Sequence, residues 1–317
     1  MNIVKNKCVN DVVIIDGLTR TGKFFLGKLV SSINGLEYFI NSSEVERIIA
    51  ISKSGTLIDA DASALLVIAM NESIYSMAIG RNLNMRHDDG SSVLNSFEKE
   101  LYINRQDKGH SGHKALNEIT NQKRSSVFIM HQSLQSASVI KDAVPQSRII
   151  NLRRHPVDLV YSWIKRGWGK RYGSDLLSFE PVYYHNGSMV PYFAVEWADE
   201  YLASNEHDRV IKSIINLTEE ESNVIESKKY DICCIYYENL VEQTHKEMGK
   251  ICTFLNSSPH ESMAKTIERE ARYVDFQEQR KMKIDYISSG IEDKTSFDKL
   301  LNLGSEYENN INNEKLW

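Results

Sequence analysis

The chain has 317 residues and a mass of 36.3 kDa, with 41% hydrophobic, 26% charged and 9% aromatic residues, which suits a large globular fold and excludes global disorder. Lys and Arg number 38 against 43 Asp and Glu, so the formal net charge of -5 excludes a general nucleic-acid-binding coat while allowing one local basic pocket. The four cysteines, at 8, 233, 234 and 252, form neither a disulfide framework nor a zinc ligand set.

Val12–Ile15 is a short β-branched run, apolar on both faces, as a central parallel strand requires. The amino terminus around it lacks the apolar core and cleavage site of a signal peptide. Gly17 to Lys23 follows as a glycine loop, and the spacing from Phe24 to Val30 predicts a helix. Leu36 to Ile40 reads as an edge strand, 44–79 as mostly helical and 80–126 as a more polar stretch over a cleft. Asn71 and Glu72 interrupt the most apolar stretch, Ala60 to Met70, so no integral membrane segment is expected. With the cysteine usage, this predicts a cytoplasmic protein. Val127 to Met130 is the next strand and ends at His131. A helix over 134–143 stops before Pro145. Arg148 to Leu152 is a strand, and a helix runs from Pro156 to Arg166.

Residues 167–190 read as a long substrate-side loop, followed by helices over 191–203 and 208–215. Ile232 to Tyr236 is a late strand, Val241 to Leu255 an amphipathic helix, and 260–287 a charged helical region. That region can pair between two copies, giving a homodimer, or pack internally. The expected organisation is one α/β domain over 1–303 with helical insertions around 41–120 and 167–225. A polar tail over 304–317 is expected to fray, with Trp317 able to dock. Strands separated by helices predict a three-layer α/β/α sandwich with a central parallel sheet. Ligands should then bind beyond the carboxyl ends of the strands.

Gly17, Gly22 and Lys23 match most of a phosphate loop, G-x-x-x-x-G-K. Phe24 stands where a nucleotide triphosphatase needs a magnesium-binding Ser or Thr. The loop amides with Arg20 and Lys23 can still neutralise an anion, so phosphate binding is favoured over ATP–magnesium chemistry. The plain alternative is an ordinary glycine turn. A second anion site is predicted at Arg153, Arg154, Pro156, Asp158 and Ser162, where strand-end arginines meet a hydroxyl two helical turns on. Its alternative is a surface basic patch capped by Pro156.

On these residues the chain resembles sulfotransferases that use 3′-phosphoadenosine 5′-phosphosulfate (PAPS). The segment IIDGLTRTGKFFLGKLV is similar to the family's 5′-phosphosulfate loop, and its TRTG run is nearer the T-R-S-G form of carbohydrate-modifying members. Arg154 to Ser162 matches R-x-P-x-D-x-x-x-S, the 3′-phosphate segment, and Tyr237–Glu238–Asn239–Leu240 resembles the Y-E-D-L segment near the adenine. The resemblance implies a P-loop NTPase-like sulfotransferase fold, with PAPS as donor, adenosine 3′,5′-bisphosphate (PAP) as product and no metal. It places donor contacts at Arg20, Thr21, Gly22, Lys23, Phe24, Arg154, Ser162 and Tyr237. Its late glycine-rich R-K-G segment is absent; Arg269, Arg272 and Arg280 are the candidates to replace it.

Transfer to an alcohol needs cations or amides on the leaving oxygen, assigned to Lys23 and Arg20, and a base for the acceptor proton. His131 is the chosen base because it ends a strand at the crevice, where small-molecule members place theirs. Its alternative is a structural strand-end histidine. His110 and His113 are further candidates, as are Glu44 and Glu46 by analogy with carboxylate-using relatives. The expected acceptor is a hydroxyl on a sugar, lipid headgroup or small metabolite. The rival functions are a small-molecule kinase and a noncatalytic nucleotide-binding protein.

Overall fold

The computed structural model describes residues 3–107, 111–271 and 274–315. His110, Arg272 and Trp317 lie outside them.

The chain opens with β1 (Val12–Asp16), α1 (Lys23–Val30) and β2 (Ile40–Asn41), then α2 (Ser43–Lys53), α3 (Asp59–Ala78), α4 (Lys99–Asp107) and α5 (His113–Asn121). Next come β3 (Ser126–Ile129), α6 (Ala137–Ala143), β4 (Arg148–Arg153) and α7 (Pro156–Ile164). A hairpin of β5 (Val182–His185) and β6 (Ser188–Pro191) leads to α8 (Ala198–Ala203) and α9 (Glu206–Glu226). The chain closes through β7 (Ile232–Tyr236), α10 (Tyr237–Glu242), α11 (Thr244–Phe254), α12 (Met263–Glu270), α13 (Phe276–Ser288) and α14 (Lys294–Lys315).

The central sheet is parallel throughout, in the order β2-β3-β1-β4-β7. Strand alternation sorts its side chains into two cores. Val13, Ile15, Val127, Ile129 and Leu152 pack with Leu26, Met248 and Ile251 on one face. Val12, Ile14, Phe128 and Ile149 pack with Val45, Leu66, Met70 and Ile140 on the other. This is the expected α/β/α sandwich. Each fully buried aliphatic contributes roughly 1.5–3 kcal/mol, so the two-sided burial of β1 anchors the segment that carries the glycine loop.

Ile15 lies opposite both Ile129 and Ile150, and Arg153 lies opposite Tyr236. Because all the strands run one way, the residues that follow β1, β3, β4 and β7 leave the sheet along one edge. Those residues include Gly17, His131, Arg154 and Tyr237. Strand order reverses at β1, so the crevice opens there.

Several elements differ from the sequence expectation. The second strand pairs only over Ile40–Asn41, with an isolated bridge at Leu36. The polar stretch over 80–126 contains α4 and α5, and Glu37 ties it to the sheet: Arg105 and Arg124 both pair with its buried carboxylate. The long loop over 167–190 holds the start of a hairpin turned at Asn186 (φ 47) and Gly187 (φ 80). Positive φ at both positions matches the Asn-Gly turn that fits strand twist. The tail does not fray at 304: α14 continues to Lys315 and buries Tyr307 and Ile311 against Tyr236. Tyr307 also donates to the Glu238 carboxylate at 2.6 Å.

Candidate functional site

The loop between β1 and α1 is held in a shape only glycine allows at two points. A Cβ on Gly17 (φ 147) would lie 2.3 Å from the Leu152 carbonyl oxygen, and one on Gly22 (φ 102) would lie 2.6 Å from the Tyr237 ring. Arg20 sits at φ 80, a left-handed conformation that costs a non-glycine residue roughly 1–3 kcal/mol. Phe25 N and Leu26 N both donate to the Gly22 carbonyl, while the amides of Lys23 and Phe24 have no intrahelical acceptor, a geometry able to seat an anion.

Lys23 does not project into the crevice as a free cation. Its Nζ donates to the carbonyls of Gly17 and Leu18, each at 2.7 Å, and the residue is 3% exposed. Burial pushes its ammonium down to about 8, with Arg20 adding to the fall while Asp16, Glu46 and Glu221 oppose it. Lys23 therefore staples the loop from inside, leaving its field as the only means of acting on a ligand. Thr21 is also turned inward, its hydroxyl donating to the Leu18 carbonyl at 3.0 Å. The Phe24 ring stacks on Phe39 at 5.7 Å, leaving its backbone as the part available to an anion.

The two predicted anion elements meet. Arg154 Nη1 donates to the Arg20 carbonyl at 3.0 Å, and its guanidinium lies 4.5 Å from the centre of the Tyr237 ring. The same ring faces Gly22, so Gly22, Tyr237, Arg154 and Arg20 form a closed ring of contacts. Arg154 Nε is buried without a hydrogen-bond partner. Trp163 pins α7 to the loop by donating from Nε1 to the Thr19 carbonyl at 3.0 Å. Ser162, one residue earlier, has its hydroxyl held by Arg166 Nη1 at 3.1 Å. Arg166 was not among the sequence candidates, although its i+4 spacing from Ser162 was readable. Burial first, then Arg166 and Arg154, lower the Arg20 guanidinium below its ordinary range, so the three arginines share one electrostatic neighbourhood.

His131 emerges from β3, and its Nδ1 pairs with Glu46 Oε1 on α2. Burial pushes the imidazole below its ordinary range; Lys23 adds to this and Glu46 opposes it. The imidazole is consequently neutral at neutral pH. Gln132 bridges the two halves of the crevice, donating to Thr19 Oγ1 at 3.1 Å and accepting from the Tyr192 hydroxyl at 2.9 Å. Glu180, also absent from the sequence candidates, is solvent-accessible yet crowded by protein, as a group projecting into a cleft would be. That crowding, with Glu46 nearby, raises its carboxyl to about 7. Ser133 does not cap the following helical turn by itself. Asp16 does, accepting from Ser133 N, Ser133 Oγ and Leu134 N. His113 begins α5, which packs against α3.

Two candidates for the missing late cation are engaged elsewhere. Arg280 pairs with Glu308 at 2.6 Å and lies 3.7 Å from both Asp158 and Glu238. Arg269 bonds Glu270 and the Asn95 carbonyl. Asp158 Oδ1 accepts from Lys283 Nζ at 2.7 Å, which locks α13 onto α7. Among the described residues no group of three or more His, Cys, Asp or Glu could hold a metal ion, and no helix is long and apolar enough to cross a membrane.

A family model described as the sulfotransferase domain matches residues 10–306. Among solved structures, the chain is similar to the sulfotransferase domain from the Synechococcus PCC 7002 olefin synthase, with 11% identity, 97% of this chain and 98% of that one covered, and a TM-score of 0.47. It is also similar to the sulfotransferase domain from the curacin biosynthetic pathway, with 10% identity, 83% and 78% covered, and a TM-score of 0.44. A sulfotransferase from Alicyclobacillus acidocaldarius matches at 12% identity, 90% and 93% coverage, and a TM-score of 0.40. No curated protein matches the chain.

Proposed function

The chain belongs to the sulfotransferase family, and from that premise we propose that it moves the sulfuryl group of PAPS to a hydroxyl of a sugar, lipid headgroup or small metabolite. The observation that carries this reading is the contact between the two anion elements, Arg154 on the Arg20 carbonyl at 3.0 Å. In it, Arg20 and the backbone of Gly22, Lys23 and Phe24 receive the 5′-phosphosulfate, and Arg154 and Ser162 receive the 3′-phosphate. Tyr237 supports Arg154 and borders the nucleoside. The partnerless Arg154 Nε fits an anion as its missing acceptor.

On the acceptor side, Glu46 accepts a hydrogen bond from His131 Nδ1–H, which keeps the proton on Nδ1 and leaves Nε2 free to accept. The acceptor oxygen attacks sulfur, its proton passes to His131 Nε2, and the sulfur–oxygen bond to the 5′-phosphate breaks. Arg20 and the loop amides stabilise the charge left on that phosphate, and the Lys23 ammonium adds its field from beneath. Glu46 and Glu180 supply acceptors for further hydroxyls, which suits an oxygen-rich acceptor.

The test is calorimetry with PAP and, in parallel, ATP with magnesium. PAP should bind more tightly, and Arg154→Ala should abolish the preference. ATP–magnesium binding equal to or tighter than PAP would refute the reading and favour a kinase.

A further inference from the structure

We propose that Arg166 is a third ligand of the nucleotide's 3′-phosphate and supplies the cation that the absent late R-K-G segment leaves missing. The proposal deepens the donor reading above and rests on it.

Its position is set by local structure. Gly167 (φ 66) ends α7, and the amides of Arg166, Gly167 and Trp168 fold back onto the carbonyls of Trp163 and Ile164. This turn keeps Arg166 on the α7 face that carries Ser162, one helical turn away, where its Nη1 donates to Ser162 Oγ at 3.1 Å and to the Ser162 carbonyl at 3.3 Å. The α7 face is registered on the glycine loop by the Trp163 bond to Thr19.

The electrostatics are unbalanced in one direction. Arg166 and Arg154 both act on Arg20, and among the described residues none of the three forms an ion pair. Three guanidiniums gathered without a carboxylate cost free energy until an anion joins them. Nearby cations behave differently: Arg280, Arg269 and Lys283 each hold a carboxylate. Arg166 is thus a cation that touches Ser162 and holds no carboxylate, whereas Lys165 lies over the Tyr286 ring. A serine hydroxyl and a forked guanidinium held 3.1 Å apart make a donor set suited to a phosphate monoester.

The experiment compares PAP with adenosine 5′-monophosphate, which lacks only the 3′-phosphate, by calorimetry at fixed ionic strength. In Arg166→Ala, PAP affinity should fall roughly tenfold to a hundredfold while monophosphate affinity holds, since a charge-assisted contact is lost at one end alone. Arg166→Lys should restore part of the loss. The same fall should persist in a Ser162→Ala background. Equal weakening of both nucleotides, an unchanged PAP affinity, or a loss that vanishes without Ser162 would overturn the proposal. In the last case Arg166 only positions the hydroxyl. A wild-type protein that fails to prefer PAP over the monophosphate would instead sink the donor reading itself, before any variant is made.

Discussion

Gly22→Ala puts one methyl group where the two anion elements touch. The added Cβ would lie 2.6 Å from Tyr237 Cε2 and 2.8 Å from Cδ2, and the backbone there has φ 102. Left-handed strain costs roughly 1–3 kcal/mol and overpacking a further 1–3 kcal/mol, so a loss of about 2–6 kcal/mol is expected. For a chain of this size that lowers Tm by roughly 3–9 °C. The functional loss follows from what the ring carries. Arg154 lies 4.5 Å from the centre of the Tyr237 ring, and a displaced ring takes the guanidinium off the Arg20 carbonyl. PAP affinity should drop at least about tenfold, the value of one charge-assisted contact. Gly187→Ala is the control: φ is 80 and nothing lies within 4 Å of the added Cβ. It should lose about 1–2 kcal/mol from strain and bind PAP normally. Thermal melts and calorimetry on both variants decide the matter. A Gly22→Ala protein that binds PAP like wild type would refute the coupling of loop, ring and arginine.

Three further outcomes are expected. His131→Ala should reduce transfer to any accepted alcohol by roughly 10²–10⁴-fold while PAP affinity stays near wild type, and Glu46→Gln should show a smaller loss of the same kind; steady-state kinetics with calorimetry read both. Lys23 titrates at about 8 in the free protein, so its charge is present below that pH and lost above it. kcat/KM for the donor should therefore fall as pH rises through about 8, and the limb should move higher in kcat, because a bound anion favours the charged ammonium; a limb that stays put would contradict this. Burial alone would raise the Glu37 carboxyl, but Arg105, Arg124 and Tyr102 hold it below the usual range. The stability it supplies is present above the unfolded-state value and is lost as pH falls through the folded one. Glu37→Ala should cost about 3–5 kcal/mol in urea melts near neutrality, with the gap from wild type narrowing in acid.

The parts of the fold legible in the sequence are those whose burial is two-sided. Val12–Ile15, Val127–Ile129 and Arg148–Leu152 read as apolar runs because both sheet faces are covered; Ile232–Tyr236 reads as one although its first three residues are only half-buried at the sheet edge, and all four lie in the sheet. Parallel pairing then puts Gly17, His131, Arg154 and Tyr237 on one edge without further information. What the sequence hides is side-chain direction. A loop lysine reads the same whether it faces a ligand or, as Lys23 does, its own loop carbonyls. Phe24 and Thr21 are hidden in the same way, since their neighbours come from Phe39 and Leu18. Two misses had local signals. Asn186–Gly187 announces a hairpin, and Ser162 to Arg166 spans one helical turn. The ordering of α14 had a weaker signal, because its buried Tyr307 and Ile311 stand four apart in a polar stretch. Their partner Tyr236 is distant in the chain.

Crystals of the protein grown with PAP test the shared nucleotide site most directly. The 5′-phosphate should rest on the backbone between Arg20 and Phe24, and the 3′-phosphate should lie within hydrogen-bond reach of Arg154 and Ser162. A nucleotide that leaves either element empty, or binds away from the carboxyl edge of the sheet, would contradict the assignment.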